Sequence, residues 1–137
     1  MNLFENDMER RIEFYEPAYL NDGYRPEITE APITINYGAS NIFSVIINVD
    51  VDPAIIIDSI VLISLASVTH CYDSNQRYII LDFIESSKGK YEVTPPLDRY
   101  IAPPGYYMLF VMKDVSQSIS GESRIPSKAK IVKLAFS

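Results

Sequence analysis

The one histidine and the one cysteine of this 137-residue chain are neighbours, His70 and Cys71, and Tyr72 and Asp73 follow at once. These side-chain types bind metals or activate nucleophiles: imidazole and thiolate are good ligands for transition metals, and a thiol becomes reactive when a base within hydrogen-bond reach takes its proton. The spacing argues against both uses within one chain. Adjacent side chains on a regular strand point to opposite faces, so His70 and Cys71 diverge if they lie on one. A copper centre needs about three or four converging N, S or O donors, and a single imidazole does not supply them. The plain reading of His70 is a structural residue; the alternatives are a ligand that completes a site with another polypeptide and, less well supported, a copper centre within the lone chain. The sequence holds no hydrolase motif, glycine-rich phosphate loop or CxxC pair. Independent catalysis is not expected.

Two weaker groupings carry chemistry of their own. Asn48, Asp50 and Asp52 alternate, so on a strand they share one face. Calcium prefers six to eight oxygens on a curved loop, and a solvated strand face is the better reading. Ten tyrosines, among them Tyr37, Tyr72, Tyr91, Tyr100 and Tyr106, offer flat faces on which sugar rings stack. Tyrosine is also what half-buried sheet faces use, so packing is preferred and carbohydrate binding stays as a minority alternative.

The elements that must position these residues are strands. Apolar runs are short, rich in Ile, Val and Tyr and closed by Gly, Pro, Asn or Asp, and no window carries the 3.6-residue stripe of an amphipathic helix. The pattern predicts strands near residues 12–15, 33–37, 43–51, 57–68, 78–83, 90–94, 106–112 and 129–136. Turns fall at Asp22-Gly23, Tyr37-Gly38, Lys88-Gly89 and Pro103-Pro104-Gly105, where glycine or proline supplies the backbone angles that turns need. Residues 87–90 read as a tight hairpin. Seven or eight short strands with such punctuation predict an all-β, immunoglobulin-like antiparallel sandwich. Residues 69–77 form a loop longer than the two to five residues usual in hairpins, so it projects. Residues 1–9 and 114–124 are polar and lack strand patterning, which predicts mobile segments.

Composition narrows the partners. The formal net charge is −6, and an acidic chain without clustered Lys and Arg repels a phosphate backbone, so nucleic acid is not an expected partner. The longest apolar stretch, 54–66, is interrupted by Asp58 and too short to cross a bilayer, so no membrane span is expected. With one cysteine no internal disulfide forms. Glu5, Asp7 and Glu9 make the first residues too acidic for a signal peptide, which leaves the compartment open.

Four blocks in order are more specific. Residues 63–83 (ISLASVTHCYDSNQRYIILDF) resemble the SxTHxxxxDQR hairpin of the galactose oxidase and glyoxal oxidase C-terminal domain. Residues 101–112 (IAPPGYYMLFVM) are similar to its APPGYYMLFV strand, residues 125–130 (IPSKAK) to its VPSxAK segment, and residues 13–20 with Arg25-Pro26 to its SPPYL…RP lead-in. The resemblance covers residues 12–137 as one early-set sandwich, with residues 1–11 as a flexible lead. It implies that His70 stands where the family's hairpin histidine ligates a mononuclear copper. The family's other ligands, two tyrosines and a histidine, belong to a kelch propeller that has no counterpart in these residues. It also implies that residues 69–77 act as a plug for a propeller channel, with an ordinary exposed loop as the equally weighted alternative. The family's Asp-Gln-Arg-Arg is Asn75-Gln76-Arg77-Tyr78 here, which breaks any ion pairing made by the replaced residues.

The expectation is a non-catalytic binding or assembly module that contacts its partner through Thr69, His70, Cys71, Tyr72, Asp73, Asn75, Gln76 and Arg77. That partner is a propeller, a second copy or a glycan. The alternative is one piece of a copper radical oxidase to which His70 brings a ligand. No cofactor is expected in the isolated chain, and copper only with a partner.

Overall fold

In the computed structural model residues 12–21, 23–115 and 124–136 are described; the expected mobile segments at 1–9 and within 116–123 lie outside them. Two sheets stack face to face. One has four strands in the order β1 (Ile28–Glu30), β3 (Phe43–Ile47), β9 (Lys90–Val93) and β8 (Phe83–Ser87). The other has six: β2 (Thr34–Asn36), β12 (Lys130–Ala135), β10 (Gly105–Asp114), β4 (Ile57–Ser64) and β7 (Tyr78–Leu81), with β11 (Arg124–Pro126) also paired to β10. A separate ribbon joins β5 (Val68–Thr69) to β6 (Tyr72–Asp73). The all-β sandwich is as the strand pattern predicts.

Alternation decides which side chains meet between the sheets. Tyr107, Leu109 and Val111 of β10, Ile60 and Leu62 of β4, and Val132 and Leu134 of β12 face Val45 and Ile47 of β3 and Tyr91 and Val93 of β9 in one buried cluster. Fully burying each such side chain contributes about 1.5–3 kcal/mol. Ser127 is also sealed inside. Its Oγ accepts from Val111 N at 3.0 Å while its own N–H donates to Val111 O at 2.8 Å. A side-chain oxygen thus fills the gap in the ladder between β11 and β12.

Several sequence expectations need correction. Residues 12–15 are extended but join no ladder, and a 3-10 turn at Ala18–Asn21 follows them. The strand expected over 43–51 ends at Ile47, and that over 57–68 ends at Ser64. The strand expected over 78–83 is two, because the chain changes sheets at Asp82: β7 pairs with β4, and β8 pairs with β9. Short strands β1 and β11 were not expected from the pattern, since three residues show no periodicity. The sheet is not wholly antiparallel, because β2 runs parallel to β12. Asp114 and Arg124, placed in a loop by composition, are the last pair of the β10–β11 ladder.

The expected hairpin at 87–90 is present between β8 and β9. Gly89 has φ +75°, and a Cβ there would lie 2.7 Å from Val49 Cγ1 and 3.1 Å from Ile47 O. Glu85 closes the turn, its Oε1 accepting from Gly89 N and from the Tyr91 hydroxyl at 3.1 and 3.3 Å. Burial, helped by the Glu85 charge, pushes the Tyr91 phenol up to about 12.

Three outcomes follow for urea unfolding. Gly89→Ala loses about 2–4 kcal/mol from left-handed strain and overpacking, and Ser127→Ala about 1–3 kcal/mol from the orphaned Val111 N–H. Because the folded phenol of Tyr91 ionises later than an unfolded one, its contribution is fully present below pH 10 and is lost as pH rises from there towards 12. Tyr91→Phe flattens that alkaline limb.

Candidate functional site

The ladder between β4 and β7 does not stop at the sandwich. Beyond the pair Ile63↔Tyr78, Ser64 N donates to Arg77 O at 3.1 Å, and Ser64 Oγ donates to Asn75 O. The two chains then leave the body together and pair again through Val68↔Asp73 and Thr69↔Tyr72. Residues 65–77 are therefore a twisted ribbon rather than an open loop. Five or six residues a side extend it about 18 Å at the rise of a strand.

Polar side chains hold this ribbon where no core is available. Asp73 Oδ1 accepts from Ser67 N at 2.9 Å and Asn75 N at 3.0 Å, and Asn75 Nδ2 donates to Leu65 O at 2.8 Å. Arg77 Nη1 donates to Ile101 O at 2.8 Å, which ties the ribbon's base to the segment before β10. That segment is held in turn by the hydroxyls of Tyr37 and Tyr107, which donate to Ala102 O at 2.6 Å and Pro103 O at 2.7 Å. Burial holds both phenols above the ordinary tyrosine value. The Asp-x-Asn spacing at 73–75 was the available signal, since Asx side chains bond to backbone two residues on.

At the tip the two residues with metal-binding chemistry make the turn itself. His70 has φ 51° and Cys71 has φ 62°, the two left-handed positions of a two-residue I′ turn. The strand-alternation argument that separated them therefore does not apply. Both are exposed, and the thiol is free. The His70 Nδ1 lies 2.9 Å from Thr69 Oγ1, so Thr69 orients the ring.

Of the eight residues expected at the contact, Thr69, His70, Cys71 and Tyr72 form the outer end of the ribbon. Asp73, Asn75 and Arg77 have the internal bonds just described, and Gln76 is exposed near the base. Among the described residues no group of three or more His, Cys, Asp and Glu could hold a metal ion. At the ribbon's base a shallow depression of about 320 Å³ is lined by Ile63, Ser64, Asp73, Gln76, Arg77 and Tyr78. The same end of the sandwich exposes Leu97, Tyr100 and Phe136. No helix among the described residues is long and apolar enough to cross a membrane.

The weaker groupings divide between packing and exposed positions. Asn48, Asp50 and Asp52 lie beyond the end of β3 and share no strand face: Asn48 Oδ1 accepts from Asp50 N at 2.9 Å, and Asp52 Oδ2 pairs with Lys113 Nζ at 2.6 Å. The Lys113 hydrogen bond holds the Asp52 carboxyl below its usual value. Tyr91 is core, Tyr37 packs against that core, and Tyr72, Tyr100 and Tyr106 are exposed on separate segments.

An immunoglobulin-like sandwich with a ribbon projecting from one end defines the class. Within it, the galactose oxidase-like early set domain matches residues 25–134, and the chain belongs to that family. It is similar to an aldehyde oxidase GLOX of Vitis pseudoreticulata, 32% identical over 112 residues, covering 76% of this chain and 21% of the relative. It is also similar to a WSC domain-containing protein of Arthroderma benhamiae, 32% identical over 118 residues, covering 85% of this chain and 12% of the relative. Among solved structures it is similar to a fungal alcohol oxidase of the AA5 family in complex with copper, at TM-score 0.64 and 27% identity, covering 83% of this chain and 21% of that one. The chain thus spans about a fifth or less of these relatives.

The bonding predicts that Asp73→Ala loosens the ribbon without unfolding the body. Amide exchange at Ser67 and Asn75 rises, while that of Leu62 and Leu109 stays unchanged.

Proposed function

We propose that this chain is a non-catalytic binding or assembly module, in which the sandwich is a rigid support and the tip of the ribbon, Thr69 to Tyr72, docks into a partner protein. The observation that carries the reading is the backbone at His70 and Cys71. Left-handed angles cost about 1–2 kcal/mol for a residue with a Cβ, and Asn-Gly is the sequence that removes most of that cost in an I′ turn. Strain held at an exposed tip by a His-Cys pair, where Asn-Gly would relieve it, supports a use for those two side chains. The exposed Tyr72 beside them supplies an aromatic anchor of the kind that dominates interfaces.

A second reading rests on the orientation of His70 by Thr69 together with the copper-bound relative. Here the chain is one part of a copper radical oxidase, and the imidazole reaches a metal whose remaining ligands belong to a propeller. Copper bound to such a partner would supply the redox chemistry. This chain's own residues would hold and orient one ring. A glycan partner has less support, because the exposed tyrosines do not share one segment.

One double variant, His70→Asn with Cys71→Gly, separates a docking tip from an idle turn. The expected outcome is a rise in folding stability of about 1–3 kcal/mol from relieved strain together with loss of capture of the partner that wild-type chain retains from its source cell. Unchanged capture would sink the docking reading. For the second reading, electron paramagnetic resonance during Cu(II) titration should show no stoichiometric centre in the chain alone and a centre sensitive to His70→Ala once the propeller partner is added.

A further inference from the structure

The outer face of the six-stranded sheet is built like an inner one. Tyr78, Ile63, Met108 and Ile131 stand opposite one another across four strands, and the next row holds Ile80, Val61 and Phe110. Ile80, Tyr78 and Ile131 are 65%, 53% and 53% exposed, whereas Val61 is fully buried and Ile63, Met108 and Phe110 are half-buried. The outer face of the other sheet is different: Ser44, Glu92 and Ile84 form one row, with Lys90 beside Ile46 in the next. An antiparallel sheet with one solvated face alternates apolar inside with polar outside. The four-stranded sheet largely obeys this, and the six-stranded sheet does not.

The same chain carries an unsatisfied apolar segment. Residues 12–16 are all exposed, and Ile12, Phe14 and Tyr15 are 82%, 91% and 88% exposed. Their root is fixed, because the turn at Ala18–Asn21 contacts β11 and Arg25 donates to Pro126 O and Ser127 O at 3.0 Å each. Pro126 stands opposite Met112, at the border of the apolar face. The segment therefore leaves the body beside a face that suits it, yet does not lie on its own copy.

We propose that the segment at residues 12–16 of one copy packs across the outer sheet face of a second copy, and that the exchange is reciprocal. Two arms and two faces close a symmetric dimer with nothing left over. On an extended arm Ile12 and Phe14 share one face, and such side chains bring on the order of 150 Å² each. With a matching area from the receiving face, two such contacts approach about 1,200 Å², at the lower edge of the range of stable interfaces, about 1,200–2,000 Å². Charge is mixed: Glu13 and Glu16 lie on the arm, and the receiving rows are bordered by Lys133, its Nζ 5.9 Å from the Tyr106 ring centroid, and by the exposed Asp82 just past Leu81. The surface is distinct from the ribbon tip, so this dimer stands or falls independently of the docking reading.

Sedimentation equilibrium of the full chain at micromolar concentration tests the exchange. The wild type is expected to be a dimer, as is Tyr72→Ala at the ribbon. Phe14→Glu and Ile131→Glu, both at exposed positions, each weaken dimerisation roughly tenfold or more, with thermal melts showing that both remain folded. Mixing those two variants leaves one intact arm-to-face contact, so the mixture dimerises more tightly than either alone. A monomeric wild type overturns the proposal. So does a dimer that survives Phe14→Glu, which would mean direct stacking of the two faces, and so does a mixture without rescue, which would mean that each arm serves its own chain.

Discussion

The ladder between Ile57–Ser64 and Gly105–Asp114 aims the outward-facing groups at the centre of the six-stranded sheet. It runs from Tyr107↔Ser64 to Lys113↔Ile57 and places Ile60, Leu62, Leu109 and Val111 between the sheets. Because side chains alternate with period two, a slip of one residue would turn Val61, Ile63, Met108 and Phe110 inward and those four outward. The ribbon depends on the same register. Ser64 and Arg77 continue the hydrogen bonds of β4 and β7 past the edge of the core, so the direction in which residues 65–77 project is set inside the sandwich.

Past that edge the physics changes. The body is held by burial, and the ribbon by a short chain of polar contacts through Asp73, Asn75 and Arg77. Such contacts are individually modest, near 1 kcal/mol net, and they face water. A rigid base with a separately braced arm suits a part that must reach into something else, since ordering the arm beforehand reduces the entropy lost on binding. Its strained tip, with an imidazole and a thiol where Asn-Gly would fold more easily, is a place where local sequence preference and local structure conflict. Conflicts of this kind concentrate where a protein acts.

The relatives place this architecture in context without assigning its work. The chain matches about a fifth of the length of an aldehyde oxidase and of a copper-bound alcohol oxidase, so the early set domain is one part of those larger proteins. In this chain the one imidazole stands at the tip of the ribbon. The apolar outer face is a second surface built for cover.

Periodicity and turn chemistry were enough, in the sequence alone, to establish an all-β sandwich. Alternation in residues 106–112 and glycine at Gly89 are local properties, and local backbone sterics decide them. The four ordered blocks identified the family for the same reason, since they are read residue by residue. Other features were invisible there. The change of sheet at Asp82, the parallel pairing of Thr34–Asn36 with Lys130–Ala135 and the short strands at Ile28–Glu30 and Arg124–Pro126 come from partners far along the chain. The left-handed angles of His70 and Cys71 were hidden too, because nothing in a His-Cys pair asks for φ above zero; the register of the flanking strands imposes it. Local chemistry is written in neighbouring residues, but the partner of a strand and the conformation forced on a turn are settled only when distant segments meet.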